Sequence, residues 1–303
     1  MIRFIVVASF VVLFLIFSIP LLIAEWIIGK FNMDLKNKSS LAIVNWAFRW
    51  CLRLAGTKVI VKGEENVPKD EPVLYIGNHR SYFDILITYV RVPRPTGYIA
   101  KKEMLKWPLL VNWMRNLHCL FLDRQDIKQG LKIILEAIEK VKSGISICIF
   151  PEGTRNKVNH TFMEFHEGSF KIASKTGCAI VPMAIYNSAA IFEDHLPKVK
   201  KATVILEYCK PIYMKDLEKE DQKHIGAYTQ NIIKEKYSKS KKKQVFKPAS
   251  FKFYITVITK HYCHSATTCF SLVQSVCISF STFRVVTRYP QILKSYNPFS
   301  NKT

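Results

Sequence analysis

The 303-residue chain is 49% hydrophobic and 22% charged, a balance that excludes a disordered acidic chain, a collagen-like repeat and a chain too polar to build a core. Lys and Arg outnumber Asp and Glu 45 to 23, but Lys236 to Thr303 holds 12 basic and no acidic residues, so the first 235 residues carry 33 − 23 = +10. The net +22 is therefore partly a property of the tail and not a global nucleic-acid signature. Eight cysteines without a C-x-x-C spacing read as free thiols in a reducing compartment, not as a disulfide framework or a zinc site.

In chain order, Phe4 to Ile28 is an apolar stretch of 25 residues broken by Ser9, Ser18, Pro20 and Glu25. As a helix rising about 1.5 Å per residue it is long enough for a hydrocarbon core of about 30 Å. It is too long for the apolar region of a cleaved signal peptide, and Ala24-Glu25-Trp26 is a poor cleavage site. A retained membrane anchor is expected. Arg3 precedes it and Lys30, Lys36 and Lys38 follow, a bias that puts the downstream domain on the cytoplasmic face. Ser40 to Ala55 carries Arg49 and Arg53 on one helix face and Trp46 and Trp50 on another, which reads as an interfacial helix, with a plain core helix as the alternative. The expected organisation is an anchor and interfacial helix over 1–56, a folded domain over 57–243, and a basic, acid-free tail over 244–303 outside the fold.

Strands are predicted at Thr57–Val61, Val73–Ile76, Gly97–Ala100, His118–Leu122, Ile145–Phe150, Ala179–Ile185 and Ala202–Glu207. The clearest helix is Ile127–Lys142, with Ile127, Leu131, Ile134, Ile138 and Val141 at helical spacing and Gly144 as a stop. Two more are predicted near Gly168–Thr176 and Asp216–Tyr237. Alternating strands and helices imply an α/β domain with a mixed, mostly parallel sheet flanked by helices, whose sites form at the carboxyl ends of strands.

The unusual residues cluster there. Gly77-Asn78-His79-Arg80-Ser81-Tyr82-Phe83-Asp84 follows the second strand. His79 ends that strand and Asp84 falls in the first turn of the next helix, where the turn can fold the carboxylate back on the imidazole. Such a pair is a general base with a fixed tautomer, against the alternative of a structural histidine. A second His/Asp pair at the same spacing, His118 and Asp123, lies along one strand with the two side chains on opposite faces and cannot cooperate locally. Phe150-Pro151-Glu152-Gly153-Thr154-Arg155 follows another strand. Gly153 permits close backbone approach, Thr154 adds a hydroxyl and Arg155 offers a planar fork for a phosphate; the alternative is a plain turn. Asp123-Arg124 closes a further strand and brings Arg124 towards the same edge, or forms only a surface ion pair. Lys101 and Lys102 follow another strand and can reach the same anion. Val181-Pro182-Met183 puts a proline inside a strand, which predicts an edge or a bulge near a site. The sequence contains no nucleophile elbow, no phosphate-binding P-loop and no metal-ligand spacing.

In this order the blocks resemble those of the glycerolipid acyltransferases, specifically the 1-acylglycerol-3-phosphate (lysophosphatidic acid) acyltransferases. N-H-x-x-x-x-D is Asn78, His79 and Asp84; F-x-x-R is Phe121 and Arg124; F-P-E-G-T-R is Phe150 to Arg155 without substitution; V-P is Val181 and Pro182. The resemblance covers about residues 40–215. It implies that His79 takes the proton of a glycerol hydroxyl while Asp84 orients it. Arg155 and Glu152, with Gly153 and Thr154, would bind the glycerol-phosphate end, Arg124 and Lys101 would help hold that phosphate, and Pro182 would shape the acyl-donor side. It also implies lysophosphatidic acid as acceptor, acyl-CoA or acyl-carrier protein as co-substrate, membrane lipids as surroundings, no resident cofactor or metal, and no nucleic-acid partner. Glycerol 3-phosphate or another lysolipid as acceptor, or a silent lipid-binding protein, are the alternatives.

Overall fold

A computed structural model of the chain describes residues 1–245. Met1–Lys241 form one compact unit; of the second, Lys242–Thr303, only the end of the last helix is described, so the expectation for the tail falls almost wholly outside the described residues. Seven strands form one sheet: β1 (Lys58–Lys62), β2 (Leu74–Gly77), β3 (Thr96–Lys101), β4 (Leu120–Leu122), β5 (Ser146–Ile149), β6 (Ile180–Tyr186) and β7 (Thr203–Tyr208). Their order is β1-β7-β6-β2-β5-β3-β4, and all neighbours are parallel except β6 and β7. The sheet is thus mixed and mostly parallel, as expected. β4 starts two residues later than predicted because His118 adopts a left-handed φ of 60° at the end of the preceding helix.

The helices are α1 (Ile2–Phe17), α2 (Ile19–Phe31), α3 (Met33–Ala55), α4 (Phe83–Tyr89), α5 (Leu110–Asn116), α6 (Ile127–Lys142), α7 (Lys171–Thr176), α8 (Lys219–Lys223) and α9 (Ile225–Val245). Successive strand residues feed opposite faces of the sheet. Tyr75, Tyr98, Val181 and Leu206 pack with Val44, Leu52, Ile87 and Trp113 from α3, α4 and α5. Leu74, Ile76, Ile147 and Ile180 pack with Ala137, Val141, Ile172 and Ile233 from α6, α7 and α9. The sheet is covered on both sides, which is why β2, β5 and β6 are buried along their whole length. α6 has the predicted bounds, with the Asp126 carboxylate accepting the Gln129 N–H at 3.0 Å as its cap. Its core stripe differs: Ile133, Ala137, Ile138 and Val141 are buried, whereas Ile127 and Leu131 are exposed. Ile127 lines a cleft instead of the core.

Two expectations are corrected. The N-terminal apolar stretch is not one continuous helix but α1 and α2, set 48° apart at Ser18. Pro20 lies in the first turn of α2, and the Ser18 hydroxyl turns inward to accept the Trp113 indole N–H at 2.9 Å. No single described helix is long and apolar enough to cross a membrane; α1 and α2 taken together pass the same length and composition test. α3 is longer than the predicted interfacial helix and buries Val44, Ala47, Cys51, Leu52 and Ala55, leaving Trp46, Trp50, Arg49 and Arg53 exposed on its other side.

Pro182 lies on neither an edge strand nor a sheet margin: it is buried in the central strand β6, opposite Ile76 of β2. Ile185 exchanges hydrogen bonds towards β2 through Asn78, whereas the carbonyls of Ile180 and Pro182 face the opposite side and accept from Ile212 and Cys209. The proline nitrogen therefore points at the Cys209–Ile212 connection, where the β6–β7 ladder has already ended at Met183 and Tyr208. No ladder donor is missing, so a central strand accepts the proline.

Candidate active site

The carboxyl ends of β2 and β5 lie side by side, and each runs into a loop that carries one motif. A Cβ on Gly77, the last residue of β2, would come within 3.1 Å of the Phe150 ring, so glycine lets the two loops approach. Asn78 extends β2 with its side chain: the amide donates to the Ile185 carbonyl at 2.9 Å and its oxygen accepts the Ile185 N–H at 2.8 Å. That two-point attachment to β6 fixes where the next residue, His79, leaves the sheet.

His79 Nδ1 lies 2.9 Å from Asp84 Oδ2. The same carboxylate oxygen accepts the main-chain N–H groups of Arg80 and Ser81, both at 2.7 Å. Three donors on one oxygen fold the five-residue turn into a closed loop around the carboxylate, the back-fold that a strand-to-helix turn permits and a straight helix does not. Asp84 is fully buried, and its Oδ1 is buried without a hydrogen-bond partner among the described residues. With the carboxylate accepting at Nδ1, the imidazole carries its proton there and leaves a lone pair at Nε2. The ring is stacked on Phe150, centroids 4.4 Å apart at 17°, and its side chain keeps 13% of its surface exposed.

The loop after β5 is tied directly to this turn. The Asn156 N–H donates to the His79 carbonyl at 2.8 Å. Glu152 Oε1 accepts the His79 N–H at 2.9 Å, and Oε2 accepts the Met163 N–H at 3.1 Å. Burial, only partly offset by these two main-chain donors, raises the Glu152 carboxyl above the ordinary range. Each of its oxygens accepts a main-chain N–H, so Glu152 ties the two loops together, and it also lines the cleft that carries Arg124. Gly153 has a φ of 71°, a conformation that disfavours a side chain, and turns the loop so that Thr154 is exposed.

The Arg155 guanidinium carbon lies over the Tyr82 ring, 3.5 Å from its centroid, and its Nη1 is 3.2 Å from Glu193 Oε1. Arg124, together with Ile99, Leu122, Phe150, Gly153 and Thr154, lines a cleft of about 590 Å³ at the carboxyl ends of β3, β4 and β5. Asp123 and Arg124 also border a neighbouring cleft of about 480 Å³ that holds Lys101, Lys102 and Lys106. Lys101 pairs with Glu103 at 2.7 Å and Lys102 with Asp123 at 3.0 Å, whereas Arg124 makes no ion pair or hydrogen bond among the described residues. The structure thus brings His79, Asp84 and Glu152 into one hydrogen-bonded unit, places Glu152, Gly153, Thr154 and Arg124 on a shared cleft, and puts Lys101 in the adjoining one. Pro182 lines neither cleft. The other His/Asp pair is divided: His118 Nε2 lies 2.8 Å from Asn37 Oδ1, and Asp123 holds Lys102.

The family described as Acyltransferase matches residues 58–186, the span from β1 to the end of β6. The 1-acyl-sn-glycerol-3-phosphate acyltransferase of Helicobacter pylori is 33% identical over 159 residues, which are 50% of this chain and 67% of that protein. The chain belongs to the 1-acyl-sn-glycerol-3-phosphate acyltransferase family. The family member from Borreliella burgdorferi is 38% identical over 141 residues, 46% of this chain and 56% of that protein. The chain spans little more than half the length of several such relatives. The crystal structure of the 1-acyl-sn-glycerophosphate (LPA) acyltransferase from Thermotoga maritima superposes with a TM-score of 0.67, at 22% identity, over 78% of this chain and 95% of that one. The acyltransferase fold is therefore shared well beyond the matched 58–186 segment.

Sequence reasoning missed three participants. Glu193 and Asp194 follow β6 and hold the arginines of the two motif loops, Glu193 at Arg155 and Asp194 at Arg80, the latter at 3.5 Å. Tyr82 is the third, since its ring carries Arg155 and its N–H donates to Glu193 Oε1 at 2.8 Å. The available signal was two consecutive acids in an otherwise basic domain. Their partners lie 38 and 114 positions away, so no local pattern discloses them.

Proposed function

We propose that this chain transfers a fatty acyl group from acyl-CoA or acyl-carrier protein to the sn-2 hydroxyl of 1-acylglycerol 3-phosphate, giving phosphatidic acid. The observation that carries the reading is the His79 Nδ1 to Asp84 Oδ2 hydrogen bond, which leaves Nε2 as the free basic nitrogen beside the Arg155 loop. In the proposed step the acceptor oxygen attacks the thioester carbonyl as Nε2 takes its proton. The carbon–sulfur bond then breaks and the proton passes to the departing thiolate. Asp84 stabilises the imidazolium formed in between. A positioned base of this kind contributes about 10²–10⁴-fold. A thioester is already activated, so the step needs no covalent intermediate on the protein.

Arg155 and Arg124 are the cations assigned to the acceptor phosphate, with Lys101 at the rim of the adjoining cleft. α1 and α2 expose Ile5, Leu13, Phe17, Ile23 and Trp26, and α3 exposes Trp46 and Trp50 beside Arg49 and Arg53. That surface supports attachment to a bilayer, with aromatic and basic residues at headgroup level, and the flanking charge bias supports the cytoplasmic face. Working there keeps the acyl chains of acceptor and product in lipid, which saves about 0.8 kcal/mol per CH₂ otherwise exposed to water.

The test is thiol release from acyl-CoA and from acyl-carrier protein by the protein in membranes, with lysophosphatidic acid, glycerol 3-phosphate and lysophosphatidylcholine offered separately. The proposal expects release with lysophosphatidic acid only. Release with glycerol 3-phosphate alone would reassign the acceptor, and release with none of the three would refute acyl transfer to these lipids.

A further inference from the structure

We propose that Glu193 is an internal stand-in for the acceptor's phosphate: its carboxylate occupies the anion position between Arg155 and the Tyr82 amide until a phosphate monoester displaces it, which makes it a specificity-determining residue. This rests on the acceptor phosphate assigned above.

Glu193 Oε1 accepts the Tyr82 N–H at 2.8 Å and lies 3.2 Å from Arg155 Nη1. One donor is a main-chain group inside the His79–Asp84 turn; the other belongs to the motif arginine. A negatively charged oxygen is therefore already held where the proposed reaction needs one. The second oxygen, Oε2, is buried without a hydrogen-bond partner among the described residues, although the side chain keeps only 14% of its surface exposed. The desolvation of that oxygen is not compensated among the described residues, and Glu193 Oε1 holds two donors where Asp84 Oδ2 holds three. Contrast Glu152, whose two oxygens each accept a main-chain N–H. Arg155 in turn uses only Nη1 on Glu193, with its guanidinium carbon 3.5 Å from the Tyr82 ring centroid, so its remaining donors make no hydrogen bond among the described residues.

Displacement sets a threshold. A carboxylate carries one negative charge, whereas a phosphate monoester carries about 1.5–2 and presents three acceptor oxygens. A monoester can outcompete Glu193 for Arg155; a zwitterionic phosphodiester headgroup or an uncharged glycerol cannot. The segment bearing Glu193 is braced on its other side, where Phe192 stacks on Phe4 of α1 with centroids 5.6 Å apart. The carboxylate can thus be displaced by a side-chain movement without loss of the segment's anchorage.

The experiment uses the full chain in phosphatidylcholine vesicles and reads two quantities. The first is the dissociation constant of glycerol 3-phosphate, a soluble monoester probe. The second is the ratio of kcat/KM for lysophosphatidic acid to that for lysophosphatidylcholine. Glu193→Gln removes the charge and is expected to bind the probe about 5–10-fold more tightly and to lower the acceptor ratio. Glu193→Asp keeps the charge on a shorter side chain and serves should the first variant melt early; it is expected to bind about 2–3-fold more tightly than wild type. Equal or weaker binding by the folded variants would overturn the proposal, because the carboxylate would then be holding Arg155 in place for the ligand. The two readings separate cleanly. A wild type inactive on lysophosphatidic acid, with tighter probe binding by the variants, removes acyl transfer and keeps the stand-in. An active wild type with no binding difference does the reverse.

Discussion

Replacing Asp84 by Asn separates the two tasks this carboxylate performs. A single oxygen, Oδ2, accepts from His79 Nδ1 and from the main-chain N–H groups of Arg80 and Ser81. An asparagine oxygen in that position keeps all three acceptor contacts, and its amide group takes the place of the unpartnered Oδ1. The fold of the turn should survive, with a melting temperature close to wild type. What disappears is the negative charge facing the imidazolium. A hydrogen bond to a charged group is worth about 1.5–3 kcal/mol. Losing that in the transition state lowers kcat about 10–150-fold. Asp84→Ala also leaves two buried amides without an acceptor, each costing about 1–3 kcal/mol, so it should melt markedly lower as well as react slowly. The assay is acyl-CoA thiol release beside a thermal melt for each variant. If Asp84→Asn retained more than a third of wild-type kcat, the charge would not be serving the base. If Asp84→Ala melted with wild type, the turn would not depend on this oxygen.

Three further outcomes follow from other contacts. Arg155→Ala should raise the KM for the phosphate acceptor at least about tenfold with a smaller change in kcat, measured by initial rates; an unchanged KM would remove Arg155 from the acceptor's anion site. Burial, with Lys140 and Lys36 nearby, lowers His118 to about 4 from an ordinary value of 6.5. The unfolded chain then binds the proton more readily, so stability present above about pH 6.5 is lost as pH falls towards 4, by at most about 3 kcal/mol before solvent screening is allowed for. His118→Asn, which tolerates the left-handed φ, should flatten that decline in urea titrations across this range; an unchanged slope would refute the assignment. Glu152 has the opposite linkage: its raised carboxyl favours the folded state below the ordinary carboxylate range, and this advantage disappears as pH rises through the raised value. Glu152→Gln should therefore destabilise less at neutral pH than Glu152→Ala, which strips the acceptor from the His79 and Met163 amides, and melts at pH 7 check the order.

Much of the fold was legible because its signals are local. β2, β5 and β6 are short apolar runs that only a sheet covered on both faces can bury, and α6 is followed by the Gly144 stop. The limits are equally physical. The helical spacing on α6 put Ile127 and Leu131 in the core stripe, but burial begins at Ile133, because spacing alone does not say which face the sheet covers. Pro182 argued for an edge because sequence cannot tell which side of a strand the missing N–H faces; here it faces a connection and not a ladder. At the site, the contact between His79 and Asp84 was legible, since a strand-to-helix turn has few ways to close. The two main-chain amides that Glu152 holds were not legible, because they lie 73 and 11 positions away. Glu193 stayed hidden because its partner is 38 positions away.

The most direct test of the central claim compares wild type with His79→Ala, purified in parallel and matched by thermal melt. The measured quantity is conversion of labelled lysophosphatidic acid to phosphatidic acid. Removing a positioned base predicts a loss of about 10²–10⁴-fold with an unchanged melt. Equal conversion by the two proteins would contradict the assignment of Nε2 as the base.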